Sequence, residues 1–143
     1  MSTRLVVLDT NVLVSALLTD GACREIVRLW IGGSAFEVAI CPQLFGELSR
    51  VLQRPKIRRY ATSSAADALL GLVAVAAEWW PDPVRSARRT RDVMDDHVVQ
   101  FALDVGADLL VSGDSDLQVN EVARVARVEP PTHALRTMQH WHS

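Results

Sequence analysis

Two short apolar runs in this sequence lead to an aspartate, and this arrangement constrains the fold more than any other feature. The run Arg4–Leu8 is followed directly by Asp9, and residues 108–111 lead within three positions to Asp114. A short, continuous apolar run is typical of a strand that is buried on both faces of a parallel sheet. Ligands bind outside the carboxyl ends of such strands. The sequence therefore predicts that Asp9 and Asp114 lie at a binding site at the carboxyl end of a sheet.

Helical segments alternate with these strands, which indicates an open parallel α/β sheet. An extended segment is expected at residues 79–85, where Pro81 and Pro83 disfavour a helix. We predict helices over residues 12–18, 22–30, 42–53, 63–78, 93–105 and 132–141, and further strands over residues 36–41 and 125–128.

Length and composition fit one globular domain spanning residues 1–143, because hydrophobic residues make up 49% of the chain and charged residues 22%. The net charge of −2 gives no overall basic field for a nucleic acid. Basic residues nevertheless cluster in residues 50–59 and again in residues 85–91. A polyanionic partner is therefore permitted but not required.

The chain is expected to be cytoplasmic, with no membrane association. Its longest apolar run, residues 68–77, is about half the length of a membrane span. The apolar run at the start is too short for a secretory signal. Cys23 and Cys41 match no zinc motif, and we expect them to be reduced and structural.

Two acidic residues fall on the apolar faces of predicted helices. Glu47 shares its face with a stripe on helix 42–53, and Asp95 shares its face with a stripe on helix 93–105. The stripes consist of Leu44, Leu48 and Val51 on the first helix and of Val98, Val99 and Ala102 on the second. A buried carboxylate must be paired, protonated or bound to a metal, because burial of an unpaired charge is costly.

Together these residues indicate a metal site built from oxygen ligands. Like charges raise one another's pKa unless a cation lies among them. Carboxylates without histidine or cysteine select a hard ion, Mg²⁺ or Mn²⁺. The candidate acids are Asp9, Glu47, Asp95 and Asp114, with Asp116 beside the last.

Each acid taken alone also has a structural interpretation. Asp9 could cap the helix that follows it, and Asp92 has the position of a cap for the helix from residue 93. Asp114 and Asp116 could form a solvated turn. The joint placement of the acids favours a site over these separate roles.

Other chemistries find less support. His97 lies two residues after Asp95, so we expect it on another face of the helix, as a surface residue. No serine has a histidine partner at a motif spacing, which argues against a serine nucleophile. A haloacid-dehalogenase-like phosphatase needs an acid two positions after the first aspartate, but this chain has Asn11 there. Such an enzyme also needs a positioned lysine, whereas Lys56 is expected in a basic loop.

The ordered set of motifs resembles the PIN domain family. Residues 8–16 resemble the opening strand, loop and helix of that family, and residues 42–52 with Glu47 resemble its second acidic motif. Residues 91–102 with Asp95 resemble the third, and residues 110–117 the fourth. Where the subgroup commonly has Arg-Asp-Pro before the third acid, this chain has Arg91-Asp92-Val93-Met94 and so lacks the proline. We prefer Asp95 to Asp96, which is rotated off the apolar face.

The resemblance implies a three-layer α/β/α fold with a mainly parallel sheet of about five strands. It is nearest to bacterial toxin components similar to VapC, which implies a Mg²⁺-dependent endoribonuclease that is usually dimeric and is blocked by a small antitoxin protein. It also implies that Asp9 and Asp95 are the principal metal ligands, that Glu47, Asp114 and Asp116 complete the cluster, and that Asn11 and Ser112 hold the carboxylates.

The expected substrate is RNA, whose backbone would be held by Arg54, Lys56 and Arg58. The predicted helix 63–78 presents apolar residues 65–77, which we interpret as core or as a homodimer or antitoxin surface. The alternative function is a PIN-like module that binds RNA or protein without cutting.

Overall fold

A computed structural model describes residues 3–33, 35–83, 93–118 and 127–142. Strands and helices alternate along the chain, as the sequence predicted. The strands are β1 Arg4–Leu8, β2 Phe36–Ile40, β3 Glu78–Trp79, β4 Leu109–Val111 and β5 Val128–Glu129. The helices are α1 Thr10–Leu18, α2 Ala22–Gly32, α3 Pro42–Leu52, α4 Pro55–Arg58, α5 Ser63–Ala76, α6 Val93–Asp104 and α7 Pro131–His142, with a 3-10 turn at Ser115–Gln118.

The five strands form one parallel sheet in the order β3-β2-β1-β4-β5. Strand β1 is central, with Val6 paired to Val38 of β2 on one side and to Leu109 of β4 on the other. Successive residues of β1 and β4 are buried, which requires cover on both sheet faces. The three-layer α/β/α architecture expected from the resemblance is confirmed.

Most predicted elements agree with the structure to within a few residues at their ends. The apolar stripe of α6 is buried, with Val98, Val99 and Ala102 at most 4% exposed. In the last predicted strand, residues 125–126 lie outside the described residues, and the described strand begins only at Val128. Glu129, which the sequence analysis left out of that strand, forms its end.

The segment around Lys56 differs from its prediction as a basic loop. It contains the one-turn helix α4, which begins at Pro55. Proline is favoured in the first helical turn because its fixed φ suits the helix and its missing N–H has no intrahelical partner there. Arg54, Lys56 and Arg58 are therefore carried on or beside a short helix, all three exposed.

Helix α5 has one buried and one exposed face. Ala66, Leu69 and Val73 pack into the core, whereas Val75 is 88% exposed. The Thr62 hydroxyl caps the helix by accepting the Ala65 N–H at 3.1 Å. Within the described residues, no helix is long and apolar enough to cross a membrane.

Candidate active site

The strand order brings the two predicted strand-end aspartates to neighbouring positions. Leu8 of β1 is paired with Val111 of β4, so Asp9 and Ser112 are the next residues on adjacent strands. The Asp9 N–H donates to the Val111 carbonyl at 3.0 Å and continues the pairing. Sheet order reverses between β1 and β4, and such switch points are where open α/β sheets bind ligands.

Asp9 occupies the N-cap position of α1, yet its side chain makes no capping hydrogen bond. The carboxylate instead accepts a hydrogen bond from Ser112: the distance from Ser112 Oγ to Asp9 Oδ2 is 2.8 Å. Asp9 therefore holds the N-cap position without capping α1 through its side chain, whose hydrogen bond from Ser112 comes from the end of β4.

Ser112 links both aspartates of the site. Its hydroxyl donates to Asp9 and also accepts the Asp114 backbone N–H at 3.0 Å. Ser112 is fully buried, so both bonds are shielded from water. The hydroxyl therefore fixes the Asp9 carboxylate relative to the turn that carries Asp114.

The electrostatics of Asp9 are those of a crowded, half-buried carboxylate. Burial raises its pKa above the ordinary value, and the negative charges of Glu47 and Asp114 raise the pKa further. The hydrogen bonds from Ser112 and from the Thr10 backbone oppose this rise. The ionised form of Asp9 is thus disfavoured, and a nearby cation would relieve that cost.

Glu47 lies at the edge of the α3 stripe, with its side chain 35% exposed. Its carboxylate Oε2 is 3.1 Å from Nε2 of His97 on α6. The hydrogen bond and positive charge of His97 lower the pKa of Glu47 more than burial raises it, and Arg50 and Arg54 lower it further. Glu47 is therefore held in its ionised form.

His97 is less exposed than the sequence predicted. Its side chain is 24% exposed and pairs with Glu47. The periodicity of α6 indicates only which residues face the sheet. It gives no information about contacts with α3, which decide the environment of His97.

Arg50 and Arg54 place positive charge beside the acids. The Arg50 Nη1 atom lies 3.4 Å from the position that a Cβ atom would take on Gly46, so the guanidinium is turned back along α3. Arg50 was not among the predicted RNA-binding residues. Arg54 was among those predicted residues, and its positive charge also lowers the pKa of Glu47. Arg58 is bound to Ser63 Oγ at 2.6 Å.

The other predicted residues of the cluster are Asn11, Asp95 and Asp116. Asn11 is exposed in the first turn of α1, and its side chain makes no hydrogen bond to a described carboxylate. Asp95 lies in the first turn of α6 and Asp116 in the 3-10 turn, but both side chains fall outside the described part of the structure, as does the whole of Asp92. Among the described side chains, no three acids, histidines or cysteines form a metal-binding group by themselves.

The family model of the PIN domain matches residues 5–116 of the sequence. The chain belongs to the PIN domain family. A PIN domain is generally a nuclease. The match includes every candidate acid from Asp9 to Asp116 and ends before β5 and α7.

A solved structure supports the fold of this PIN domain. The crystal structure of PAE2754 from Pyrobaculum aerophilum superposes with a TM-score of 0.63 at 16% identity, over 98% of each chain. At that identity the similarity concerns the fold alone. No curated protein matches the sequence.

One buried acid near the site of this PIN domain was not predicted from the sequence. Glu129 ends β5, is 5% exposed, and accepts hydrogen bonds from Arg127 Nε at 2.9 Å and Thr137 Oγ1 at 2.8 Å. Its backbone carbonyl accepts the Ser112 N–H at 3.1 Å. Because its carboxylate is satisfied by these partners, Glu129 supports the β4 end of the site rather than adding a charge to it.

Proposed function

We propose that this PIN domain is an endoribonuclease that depends on Mg²⁺ or Mn²⁺ and hydrolyses RNA phosphodiesters. The observation that carries the proposal is the position of Asp9. It is half-buried at the switch point of the sheet, bonded to Ser112, and its pKa is raised by burial and by the charges of Glu47 and Asp114. A divalent cation offsets that repulsion, and an all-oxygen donor set suits a hard ion.

Asp9 and Asp95 would be the principal ligands, with Glu47, Asp114 and Asp116 completing the cluster. When bound, the ion would supply Lewis-acid stabilisation of the charge that develops on the phosphate. Ser112 keeps the Asp9 carboxylate oriented through its hydrogen bond. Glu47, held ionised by His97, is a poor proton acceptor and serves as a fixed negative charge and hydrogen-bond acceptor.

Direct attack by water fits the described residues better than a covalent intermediate. Ser112 is fully buried and its hydroxyl is bonded to both aspartates, so it is inaccessible to a phosphodiester. Burial raises the pKa of the Cys41 thiol to about 11, which leaves almost no thiolate at neutral pH. Neither side chain is an activated nucleophile.

The substrate assignment is supported by the basic residues beside the acids. Arg50 and Arg54 lie close enough to Glu47 to lower its pKa, and Lys56 and Arg58 extend the exposed positive surface along α4. Positive side chains bind nucleic-acid phosphates without sequence preference. RNA bound along α3 and α4 would thus pass beside the carboxylates.

We further propose that the protein is the toxin of a toxin–antitoxin pair, acts as a homodimer and is blocked by a small antitoxin protein. The exposed face of α5 supports a partner surface, because most of its outward residues are small or apolar and include Val75 at 88% exposure. Val75→Asp should weaken self-association in sedimentation. Ile31→Asp, at an exposed apolar position on α2, is the matched control.

The activity is tested by incubating RNA with the purified protein and Mg²⁺ or Mn²⁺, with and without chelator. Asp9→Asn, purified identically, controls for contaminating nucleases. Metal-dependent cleavage by the parent and not by Asp9→Asn supports the proposal. RNA binding without cleavage would instead favour the non-cutting module.

A further inference from the structure

The hydrogen bond between His97 and Glu47 joins two helices that both carry acids of the site. Glu47 lies on α3, and His97 lies on α6 two residues after Asp95. The two side chains meet at 3.1 Å, with exposures of 24% for His97 and 35% for Glu47. Fifty positions separate the two residues in the sequence. The contact is therefore a product of how α3 and α6 are placed relative to one another.

Glu47 needs such a partner more than the strand-end acids do. Asp9 follows a sheet strand directly and is held by Ser112, and the Asp114 backbone N–H is held by the same hydroxyl. Glu47 lies on a helix and has a longer side chain, whose immobilisation costs more conformational entropy. Among the described residues, its side-chain hydrogen-bond partner is His97.

The chemistry of the pair defines the direction of the bond. An ionised carboxylate only accepts hydrogen bonds, so the proton must be on Nε2 of His97. Arg50 and Arg54 contribute charge, but within the described residues neither forms an ion pair with Glu47. The imidazole is therefore the group that gives the Glu47 carboxylate a defined direction.

We propose that His97 is a positioning residue that orients the Glu47 carboxylate within the metal-binding cluster. The inference rests on the proposed function, because it assigns Glu47 to that cluster. His97 acts through Glu47, in the way that residues behind a metal ligand hold that ligand in place. Any loss caused by removing the imidazole should consequently depend on the presence of Glu47.

The test is a double-variant cycle on the full chain, with Mn²⁺ affinity measured by calorimetry and cleavage measured in parallel. His97→Ala should weaken Mn²⁺ binding by about 10–100-fold, the range found when residues behind metal ligands are removed. His97→Gln should recover most of that loss, since its amide N–H can reach the carboxylate. In the Glu47→Ala background, His97→Ala should have no further effect.

Asp104→Ala, an exposed position on the same helix, serves as the control and should bind Mn²⁺ like the parent. The inference is overturned if His97→Ala weakens Mn²⁺ binding equally with and without Glu47. It is also overturned if His97→Ala lowers only the melting temperature in chelator and leaves Mn²⁺ affinity unchanged. If the parent binds Mn²⁺ and shows the coupling but cuts no RNA, the nuclease proposal fails while the role of His97 stands.

Discussion

The Ser112 hydroxyl donates to Asp9 Oδ2 at 2.8 Å and thereby joins the carboxyl ends of β1 and β4. The same hydroxyl accepts the Asp114 N–H, so one buried side chain orders both strand-end acids. Loss of a buried hydrogen-bond partner leaves polar groups unsatisfied, which costs free energy that water cannot fully restore. The bond therefore links the stability of the sheet end to the geometry of the candidate site.

Ser112→Ala should lower the free energy of unfolding by about 1–3 kcal/mol. It should also reduce cleavage by about 10–100-fold, because Asp9 loses its orienting partner. Urea unfolding and a cleavage assay measure the two effects. The exposed Ser64→Ala is a matched control that should change neither. Full activity in Ser112→Ala would show that the Asp9–Ser112 bond has no part in the reaction.

Asp9→Asn should stabilise the metal-free protein at neutral pH. The pKa of Asp9 is raised in the folded protein by burial and by Glu47 and Asp114, so folding favours the protonated form. The favourable contribution of protonated Asp9 to stability is fully present below the pKa that Asp9 has in the unfolded chain. It is lost as pH rises through the higher pKa that Asp9 has in the folded protein. The stability advantage of Asp9→Asn over the parent should therefore grow with pH across that interval. Chemical unfolding in chelator at several pH values measures it, and an advantage that shrinks with pH contradicts the assignment.

Asp95→Asn should fold at least as stably as the parent in chelator, because one repelling charge is removed. It should nevertheless lose most cleavage and much of its Mg²⁺ affinity. Asp92→Asn should remain active, since asparagine caps helices about as well as aspartate. Asp96→Asn should keep its cleavage activity, which distinguishes Asp96 from the adjacent Asp95. If Asp95→Asn stays active, or melts far below the parent in chelator, Asp95 is not a ligand.

Arg50→Ala and Arg54→Ala should weaken RNA binding and reduce its salt dependence. For a single strand, each lost phosphate contact lowers the slope of log affinity against log salt by about 0.7. Binding is measured in chelator with the Asp9→Asn protein, so that cleavage does not interfere. Arg28→Ala, on α2, is an exposed control that should leave the slope unchanged. If the salt slopes of Arg50→Ala and Arg54→Ala equal that of the parent, RNA does not bind along α3.

The two thiols should differ sharply in reactivity. Cys41 is fully buried and its pKa is raised to about 11, whereas Cys23 is half-buried. The thiolate is the reactive form, so a thiol reagent at pH 8 should modify Cys23 first and Cys41 only after unfolding. In Cys23→Ser, the folded protein should be nearly inert and the urea-unfolded protein should react fully. Rapid reaction of folded Cys23→Ser would contradict the burial of Cys41.

The sequence by itself determined most of the elements and the acids that they carry. Continuous apolar runs identified β1 and β4, and the periodicity of Val98, Val99 and Ala102 identified the buried face of α6. These features were accessible because strand and helix periods are repeated locally, within a few residues. For the same reason, Asp9 and Asp114 could be placed at strand ends before any fold was known.

Only the tertiary structure decided which of those residues meet. Asp9 bonds to Ser112 across 103 positions of sequence because β4, not β2, lies on that side of β1. His97 contacts Glu47 because the fold brings these two side chains together across fifty positions of sequence, which the pattern of α6 alone does not encode. Local periodicity records which face of an element is buried. The partner on that face depends on how all the elements pack together, so strand order and contacts between helices emerge only in the folded chain.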